Sequence, residues 1–174
     1  SSADLMICDG NAAGLCMAGV YGGLGSGVSE STKNVFLESA CFNSSSIRKT
    51  STRHDLRTDA AKIFEKGSDP NVTVLAAKRA AALIKRVAGG EISDRMIDVY
   101  PSEVLPAEVR LFYKNVQNLI GMPIPEEVIN SILQAMDMEV TPLDDESILV
   151  QVPTNKSDVT REVDLIEEIV RIYG

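Results

Sequence analysis

Four carboxylates are concentrated near the end of the chain, at Asp158, Asp164, Glu167 and Glu168. A helix turns by about 100° per residue, so Asp164, Glu167 and Glu168 would share one face. Clustered carboxylates repel one another and therefore favour a nearby cation. Oxygen ligands without histidine or cysteine indicate Mg²⁺ or Ca²⁺. The alternative interpretation is an ordinary solvated acidic face that binds nothing.

A fifth acid, Glu38, lies within the apolar stretch from Asn34 to Phe42. Burial of a carboxylate among apolar side chains is costly unless a partner hydrogen-bonds it. We expect a strand here, in which Phe36, Glu38 and Ala40 share one face. Three interpretations stay open: a functional acid, a rim position facing water, and an ion pair with a nearby arginine.

The remaining reactive groups give weaker signals. Cys8, Cys16 and Cys41 form no CxxC pair and lie in apolar stretches, which predicts buried, reduced thiols. His54 is the only histidine, so a thiol nucleophile has no evident base and zinc has too few ligands. The glycines between positions 19 and 27 fit neither a GxxxxGKS loop nor a GxGxxG unit, which argues against nucleotide binding there.

Charge is distributed unevenly along the chain, whose net charge is −8. Residues 1–119 carry 14 Lys/Arg and 13 Asp/Glu, whereas residues 120–174 carry 3 and 12. An acidic half does not attract phosphate backbones, so we expect any nucleic-acid contact in the first half. The locally basic stretch there runs from Arg48 to Lys66, and two solvated helix faces are the alternative interpretation.

The elements that would position these groups follow from turn and cap signals. Before the prolines at 101 and 106, the pattern predicts a hairpin (4–8 and 14–20), a strand (34–42), helices (43–53, 58–67 and 72–87) and a weak strand (91–100). After them it predicts strands (108–112, 138–141 and 148–152) and helices (to 120, 125–136 and 160–173). The fold class is therefore α+β, with a mixed α/β part at 1–105 and a small winged-helix-like module at 106–174.

Several sequence blocks, in this order, resemble the β-chain of bacterial phenylalanyl-tRNA synthetases. LCMAGVYGG (15–23), NVFLESACF (34–42), LRTDA (56–60) and FEKGSDP (64–70) are similar to the second half of its tRNA-editing domain. The segment at 152–158 and DLIEEIVRIYG (164–174) are similar to the end of the small domain that follows. The resemblance implies that residues 1–105 are the C-terminal part of the editing domain and 106–174 the small domain.

The resemblance also implies a function, the hydrolysis of tyrosine mistakenly esterified to tRNA(Phe). Glu38 falls on the acid that recognises the tyrosine hydroxyl, and Gly22, Thr58 and Ala60 fall on pocket positions around the amino acid. A polar group that needs this hydroxyl is left unpaired by phenylalanine, so it discriminates strongly. The mechanism implied is attack by pocket-held water on the ester, and no general base can be assigned.

By the same resemblance, Asp158, Asp164, Glu167 and Glu168 fall on positions that hold Mg²⁺ jointly with the synthetase α-chain. The intact enzyme implied is a cytoplasmic heterotetramer of two α and two β chains that binds tRNA(Phe) and no membrane. Amino-acid activation with ATP belongs chiefly to the α-chain, so we expect no ATP site here. The family usually has arginine where this chain has Lys156, which loses bidentate pairing.

The family's editing domain begins before Ser1 and includes a histidine there, and it often has arginine at the position of Ile63. We therefore expect an excerpt of a larger soluble, intracellular enzyme, inactive alone and with weak or absent Mg²⁺ binding. A second interpretation is a non-catalytic RNA- or protein-binding scaffold, which the winged-helix-like module suggests. The acidity of that module argues against duplex binding by it.

Overall fold

The computed structural model describes residues 1–93 and 95–174. These residues form two compact units, Ser1–Tyr100 (unit 1) and Pro101–Gly174 (unit 2). Both contain helices and strands, which confirms the α+β class. The structural division falls after Tyr100, and the assignment of 1–105 and 106–174 to particular domains stays a prediction. No helix in the described part of the chain is long and apolar enough to cross a membrane.

Unit 1 begins with a hairpin and continues with short helices. Strands β1 (Met6–Cys8) and β2 (Gly14–Met17) pair antiparallel, as the turn signal predicted. Three helices and a 3₁₀ turn follow: α1 (Ser44–His54), α2 (Asp59–Phe64), the turn Pro70–Val72, and α3 (Thr73–Ala88). The predicted helices of the first half are therefore confirmed, with ends that differ by one to three residues.

The helix ends are set by the side chains that the sequence supplies. The Asn43 side chain accepts a hydrogen bond from the Ser46 N–H (2.9 Å) at the start of α1. Such caps satisfy backbone donors that have no partner inside the helix. Helix α3 stops at Gly89, whose φ of 74° lies in the region that favours glycine.

The strand predicted at 34–42 is wrong, because this segment forms no strand in the structure. Strands need partner strands, and side chains hold the segment instead. The Ser39 hydroxyl donates to the Thr73 carbonyl (2.8 Å), and the Cys41 thiol donates to the Ser68 carbonyl (3.3 Å). The strand predicted at 91–100 is also absent from its described residues, and position 94 lies outside them.

A nearly buried carboxylate ties the chain start to α1. Asp4 accepts hydrogen bonds from Thr50 Oγ1 (2.9 Å) and His54 Nε2 (2.8 Å), and it pairs with Arg53. A side chain that is 3% exposed thus replaces water with three protein donors.

Unit 2 is a three-stranded antiparallel sheet with three helices. Its elements are β3 (Ala107–Phe112), α4 (Tyr113–Ile120), α5 (Glu126–Ala135), β4 (Glu139–Asp144), β5 (Ser147–Val152) and α6 (Glu162–Tyr173). The strand order is β3–β5–β4, with Val150 opposite both Val109 and Val140. Two helices followed by a hairpin give the winged-helix-like arrangement that the sequence predicted.

Alternating and helically spaced apolar residues build one continuous core in unit 2. Leu111 from β3, Ile129 from α5 and Ile148 from β5 are almost fully buried in it. Leu165 and Ile169 bring α6 onto the same core. The Glu162 carboxylate fixes the start of α6, because its Oε1 accepts from the Phe112 N–H (2.8 Å). The closing helix is therefore held at a defined position.

Candidate functional site

Unit 1 contains a cavity of about 440 Å³. Its walls come from β2, the glycine-rich loop after it, the segment that includes Glu38, and the first turn of α2. Cavities of this size are typical of small-ligand sites, whose volumes are roughly 300–1,000 Å³. Its lining includes Cys16, Gly22, Glu38, Phe42, Ala60 and Phe64.

Three of the four predicted pocket residues line this cavity: Gly22, Glu38 and Ala60. The fourth, Thr58, does not line it. The Thr58 hydroxyl donates to the Val20 carbonyl (2.6 Å) and accepts from the Ala61 N–H (3.1 Å) as the cap of α2. Thr58 therefore holds α2, which carries Ala60, against the loop that contains Val20.

Glu38 is the acid in this cavity, and its surroundings are partly apolar. The side chain is accessible to solvent, yet burial raises the pKa of its carboxyl above the ordinary value. Burial, followed by the charge of Glu38, also raises the pKa of the Cys16 thiol. A carboxylate that has lost part of its hydration favours a ligand that donates a hydrogen bond.

An aromatic pair backs the cavity on the side of the unit 1 core. The rings of Phe42 and Phe64 meet edge to face, with 5.0 Å between their centroids. They pack against a small buried cluster formed by Val20, Ile47 and Ala61. The cavity therefore combines one acid with an apolar floor, which suits a ligand that is aromatic and carries a polar tip.

Two glycines that the sequence reasoning did not single out shape the same site. A Cβ at Gly23 would lie 1.7 Å from the Leu15 carbonyl oxygen, so no side chain fits there. Gly19 has a φ of 65° and lies against the Phe42 ring. A Cβ at Gly22 would meet nothing within 4 Å. The density of glycines in the sequence permits a close backbone approach, but it does not tell these positions apart.

The predicted burial of the cysteines is wrong for two of the three and only partly right for the third. Cys8 and Cys41 are exposed, and Cys16 is half-buried in the cavity wall. Cys8 ends β1 at the bulged end of a two-stranded sheet, where it has few neighbours that could cover it. The apolar character of the flanking residues was therefore a poor guide to the burial of the thiols.

The acids at the end of the chain are paired with arginines in unit 2. Arg161 binds Asp164 through two nitrogens, Nη2 to Oδ1 (2.8 Å) and Nε to Oδ2 (3.2 Å). The hydrogen bonds from Arg161 and from the Thr160 N–H lower the Asp164 pKa to about 2. Asp164 is therefore ionised at neutral pH, and its oxygens are occupied by donors of this chain.

Arg171 occupies the next two acids of the helix. Its Nη2 lies 3.1 Å from Glu167 Oε1, and its Nη1 lies 2.8 Å from Glu168 Oε1. Glu168 is largely buried, Glu167 is exposed, and Asp158 lies exposed before the helix. The three helical acids thus face two guanidinium groups in this chain.

The arrangement of these carboxylates does not fit a Mg²⁺ site by itself. Among the residues described, no three His, Cys, Asp or Glu side chains come close enough together to hold a metal. Mg²⁺ needs near-octahedral oxygen geometry, whereas the oxygens here point at Arg161 and Arg171. The spacing correctly placed three acids on one helix face. Acids on one face do not necessarily direct their oxygens to a single metal position.

The two parts of the chain match two known domain families. Residues 1–89 match the B3/4 domain, and residues 109–174 match the tRNA synthetase B5 domain. The first match covers about half of the chain, and the second falls within unit 2.

Two similar proteins share a name. The chain is 46% identical over 171 residues to the phenylalanine–tRNA ligase beta subunit of Porphyromonas gingivalis, a match over 98% of this chain and 21% of that protein. The Geobacter metallireducens protein of the same name is 37% identical over 174 residues, which is 100% of this chain and 22% of that protein. The chain thus spans about a fifth of the length of these relatives. It belongs to the phenylalanine–tRNA ligase beta-subunit family, of which it carries the B3/4 and B5 domains.

Proposed function

We propose that unit 1 contributes to the hydrolytic editing of Tyr-tRNA(Phe) within a phenylalanine–tRNA ligase of the cytoplasm. The observation that supports this is the meeting of Gly22, Glu38 and Ala60 at one cavity with an aromatic floor. The family resemblance assigns the same three residues to the editing pocket, independently of their geometry. In the intact enzyme, parts of the β subunit that this chain does not include complete the pocket.

Selectivity in this proposal comes from Glu38. The tyrosine hydroxyl donates a hydrogen bond to the Glu38 carboxylate, while the ring lies over the apolar wall that includes Phe42. Phenylalanine offers no donor, so its entry would leave a partly dehydrated acceptor unpaired. Sites built to hydrogen-bond a hydroxyl reject the analogue that lacks it by factors of about 10⁴ to 10⁵. The correct Phe-tRNA(Phe) is therefore spared.

Gly22 and Ala60 provide room for the amino acid. A side chain at Gly22 would meet no protein atom within 4 Å of its Cβ, so it would extend into space reserved for the substrate. Thr58 acts by holding α2 in place through Val20 rather than by touching the amino acid. Gly22 and Ala60 are therefore pocket walls, whereas Thr58 is a positioning residue.

Hydrolysis in this proposal uses water and no covalent enzyme intermediate. Water attacks the ester carbonyl carbon, the bond to the ribose oxygen breaks, and tyrosine and tRNA with a free hydroxyl are released. Cys16 is the only thiol of the cavity wall, and burial raises its pKa, so it stays protonated at neutral pH. A protonated thiol is a weak nucleophile, which favours water over a thioester route.

The test is Tyr-tRNA(Phe) deacylation by the complete ligase with Glu38→Ala. We expect a loss of at least tenfold in kcat/KM, while Phe-tRNA(Phe) synthesis is unchanged. Glu30→Ala is the matched control, because Glu30 is an exposed acid of the same unit that does not line the cavity. Unchanged deacylation in the Glu38 variant would refute the assignment of the cavity.

We infer that unit 2 serves the contact with the synthetase α-chain. Val163 and Val170 are 46% and 41% exposed on α6, with Glu167 between them. An exposed apolar stripe on a helix that is otherwise well packed is typical of an interface. Mg²⁺ shared with the α-chain at Asp158, Asp164, Glu167 and Glu168 requires that Arg161 and Arg171 release their carboxylates.

Calorimetry with MgCl₂ tests this requirement. The isolated chain should take up no stoichiometric Mg²⁺, whereas the complete α/β ligase should bind it. Arg171→Gln removes one competing cation and should tighten Mg²⁺ binding in the complete ligase. Stoichiometric binding by the isolated chain, with Arg171 intact, would show that the acids converge without a partner.

A non-catalytic RNA- or protein-binding scaffold is the second candidate function. Unit 2 supports it, since two helices and a hairpin can present a recognition surface without any reactive group. The Glu38 experiment separates the two candidates, because a scaffold would show no dependence of deacylation on the acid.

A further inference from the structure

Helix α3 carries the largest group of unpaired cations on any one helix of the described residues. Lys78, Arg79, Lys85 and Arg86 lie within its 16 residues, and the helix contains no Asp or Glu. Within the described ranges, no carboxylate oxygen lies within 4.0 Å of any of these four side chains. Helix α3 therefore carries four positive charges in a chain whose net charge is −8.

The four cations form two neighbouring rows, about 100° apart around the axis of α3, and these two rows together are called the stripe. At about 100° per residue, positions 78 and 85 lie in one row, and positions 79 and 86 lie in an adjacent row. The two residues of each row are about 10.5 Å apart along the axis, because the helix rises 1.5 Å per residue. Of the partly covered residues of α3, Thr73, Ala77 and Ala80 face away from the stripe, whereas Val74 and Ala81 border the row of Lys78 and Lys85. All four cations are exposed. The stripe therefore points to solvent.

The helix that carries the stripe begins beside the wall of the cavity. Ser39 follows Glu38 in the chain and lines the cavity with it. The Ser39 hydroxyl donates to the carbonyl of Thr73, the first residue of α3 (2.8 Å). Helix α3 thus starts beside the cavity and is about 24 Å long, the length of 16 helical residues. A ligand that ends in the cavity can continue along this helix.

The chemistry of the stripe favours a phosphate backbone over a protein surface. Only Leu75 and Ala82 lie between the cations, and the stripe has no aromatic anchor of the kind that dominates protein interfaces. Cations repeated at regular intervals match a linear polyanion, whose binding releases counterions at each contact. Such contacts position a nucleic acid without reading its sequence.

We propose that the stripe of Lys78, Arg79, Lys85 and Arg86 binds the phosphate backbone of the tRNA strand whose aminoacyl end enters the cavity. This inference rests on the proposed editing function and adds to it the surface that delivers the substrate. The basic stretch at 48–66 is a weaker candidate. Two of its cations are already paired, Arg53 with Asp4 and Lys62 with Asp59.

The test compares two variants of the complete ligase that each lose four charges. The first combines K78Q, R79Q, K85Q and R86Q, and glutamine preserves helix propensity. The control combines R48Q, K49Q, R57Q and K66Q, all exposed and unpaired in the described part of unit 1. Circular dichroism and thermal unfolding verify that both variants keep the fold.

The first measurement is the binding of labelled tRNA(Phe) by anisotropy over a series of salt concentrations. Each lost phosphate contact lowers the slope of log K against log salt by about 0.7–0.9. The α3 variant should therefore lose about 3 from this slope and bind at least tenfold more weakly at low salt. The control should lose less than about 1. Equal losses in both variants, or none in the first, would overturn the proposal.

The second measurement is the steady-state deacylation of Tyr-tRNA(Phe). The α3 variant should raise KM about tenfold with kcat unchanged, because the stripe touches the backbone and not the ester. If the wild-type ligase does not deacylate at all, the editing proposal fails while the anisotropy still tests the surface. If α-chain assembly is lost in gel filtration and tRNA affinity is not, the stripe is a protein contact and the proposal is wrong.

Discussion

The two units differ most in how much apolar surface they bury. Unit 2 gathers sixteen buried apolar residues into one cluster, whereas the buried cluster of unit 1 has only Val20, Ile47 and Ala61. Unit 1 is the longer of the two, yet Leu24 and Phe36 are almost fully exposed in it. Burial of apolar surface is the main favourable term in folding, so unit 2 is the stable part of the chain.

The candidate site lies in the unit with the smaller core. Its cavity wall is held by a few individual hydrogen bonds, such as Ser39 to Thr73 and Thr58 to Val20, rather than by a sheet. Pockets that depend on few contacts open locally at low cost. We therefore expect stability experiments to report on unit 2 and activity experiments on unit 1.

The largest contrast should come from truncating one apolar side chain in each unit. Ile129→Ala removes a fully buried residue of unit 2 and should cost about 2–5 kcal/mol of unfolding free energy. Leu75→Ala in α3 removes a side chain that is 66% exposed and should cost less than about 0.5 kcal/mol. Urea unfolding, with hydrogen exchange to locate the change, measures both. Equal losses would mean that α3 is buried in solution.

Neighbouring glycines provide a sharper contrast within unit 1. Gly23→Ala places a methyl group against the Leu15 carbonyl oxygen and should destabilise unit 1 by about 1–3 kcal/mol. Gly22→Ala meets open space and should leave stability unchanged while it weakens Tyr-tRNA(Phe) deacylation. Hydrogen exchange in unit 1 and deacylation by the complete ligase separate the two effects. A stable Gly23→Ala variant would contradict the packing described for this loop.

Substitutions of Thr58 test whether deacylation depends on the hydrogen bonds that hold α2 in place. Thr58→Ala removes the cap of α2 and the bond to Val20, and caps of this kind contribute about 0.5–2 kcal/mol. Thr58→Ser keeps the hydroxyl and should retain most of the stability. We expect deacylation to follow stability in both variants. A full loss of deacylation in the serine variant would instead assign a direct role to the threonine methyl group.

The smallest expected effect is a pH dependence in unit 2. The Asp164 pKa is lowered from 3.8 to about 2, chiefly by Arg161, so its ionised form stabilises the folded state. This contribution is complete above about pH 4 and is lost as the pH falls towards 2. Thermal unfolding from pH 5 to pH 2 should show a steeper decline for wild type than for Asp164→Asn. Parallel curves would mean that the Arg161 pair does not form in solution.

The sequence predicted helices better than it predicted the segment at the site. Helix caps are local, and Asn43 and Thr58 cap the two helices whose starts the sequence predicted at 43 and 58. The strand predicted at 34–42 failed because strand formation depends on a distant partner, which residue types do not reveal. Position 38 was nevertheless placed in the cavity, since its assignment came from a family resemblance and not from secondary structure.

The acids of α6 show a different limit of prediction from sequence. Helical spacing put Asp164, Glu167 and Glu168 on one face, and the helix forms as predicted. The same spacing rule brings Arg171 within reach of Glu167 and Glu168, and this pairing was readable from the sequence. Whether such a carboxylate binds an arginine or a metal ion depends on groups outside the helix. The spacing of residues within the helix gives no information about those groups.

Gly22 and Gly23 have a consequence for how this family can evolve. Any replacement of Gly23 adds a carbon where the Leu15 oxygen already lies, so selection for folding alone would keep that glycine. Folding places no such demand on Gly22, where a Cβ meets nothing. If Gly22 is retained across distant lineages, its retention records selection on the ligand. Two adjacent glycines would then be retained for different reasons, Gly23 because of backbone packing and Gly22 because of the substrate.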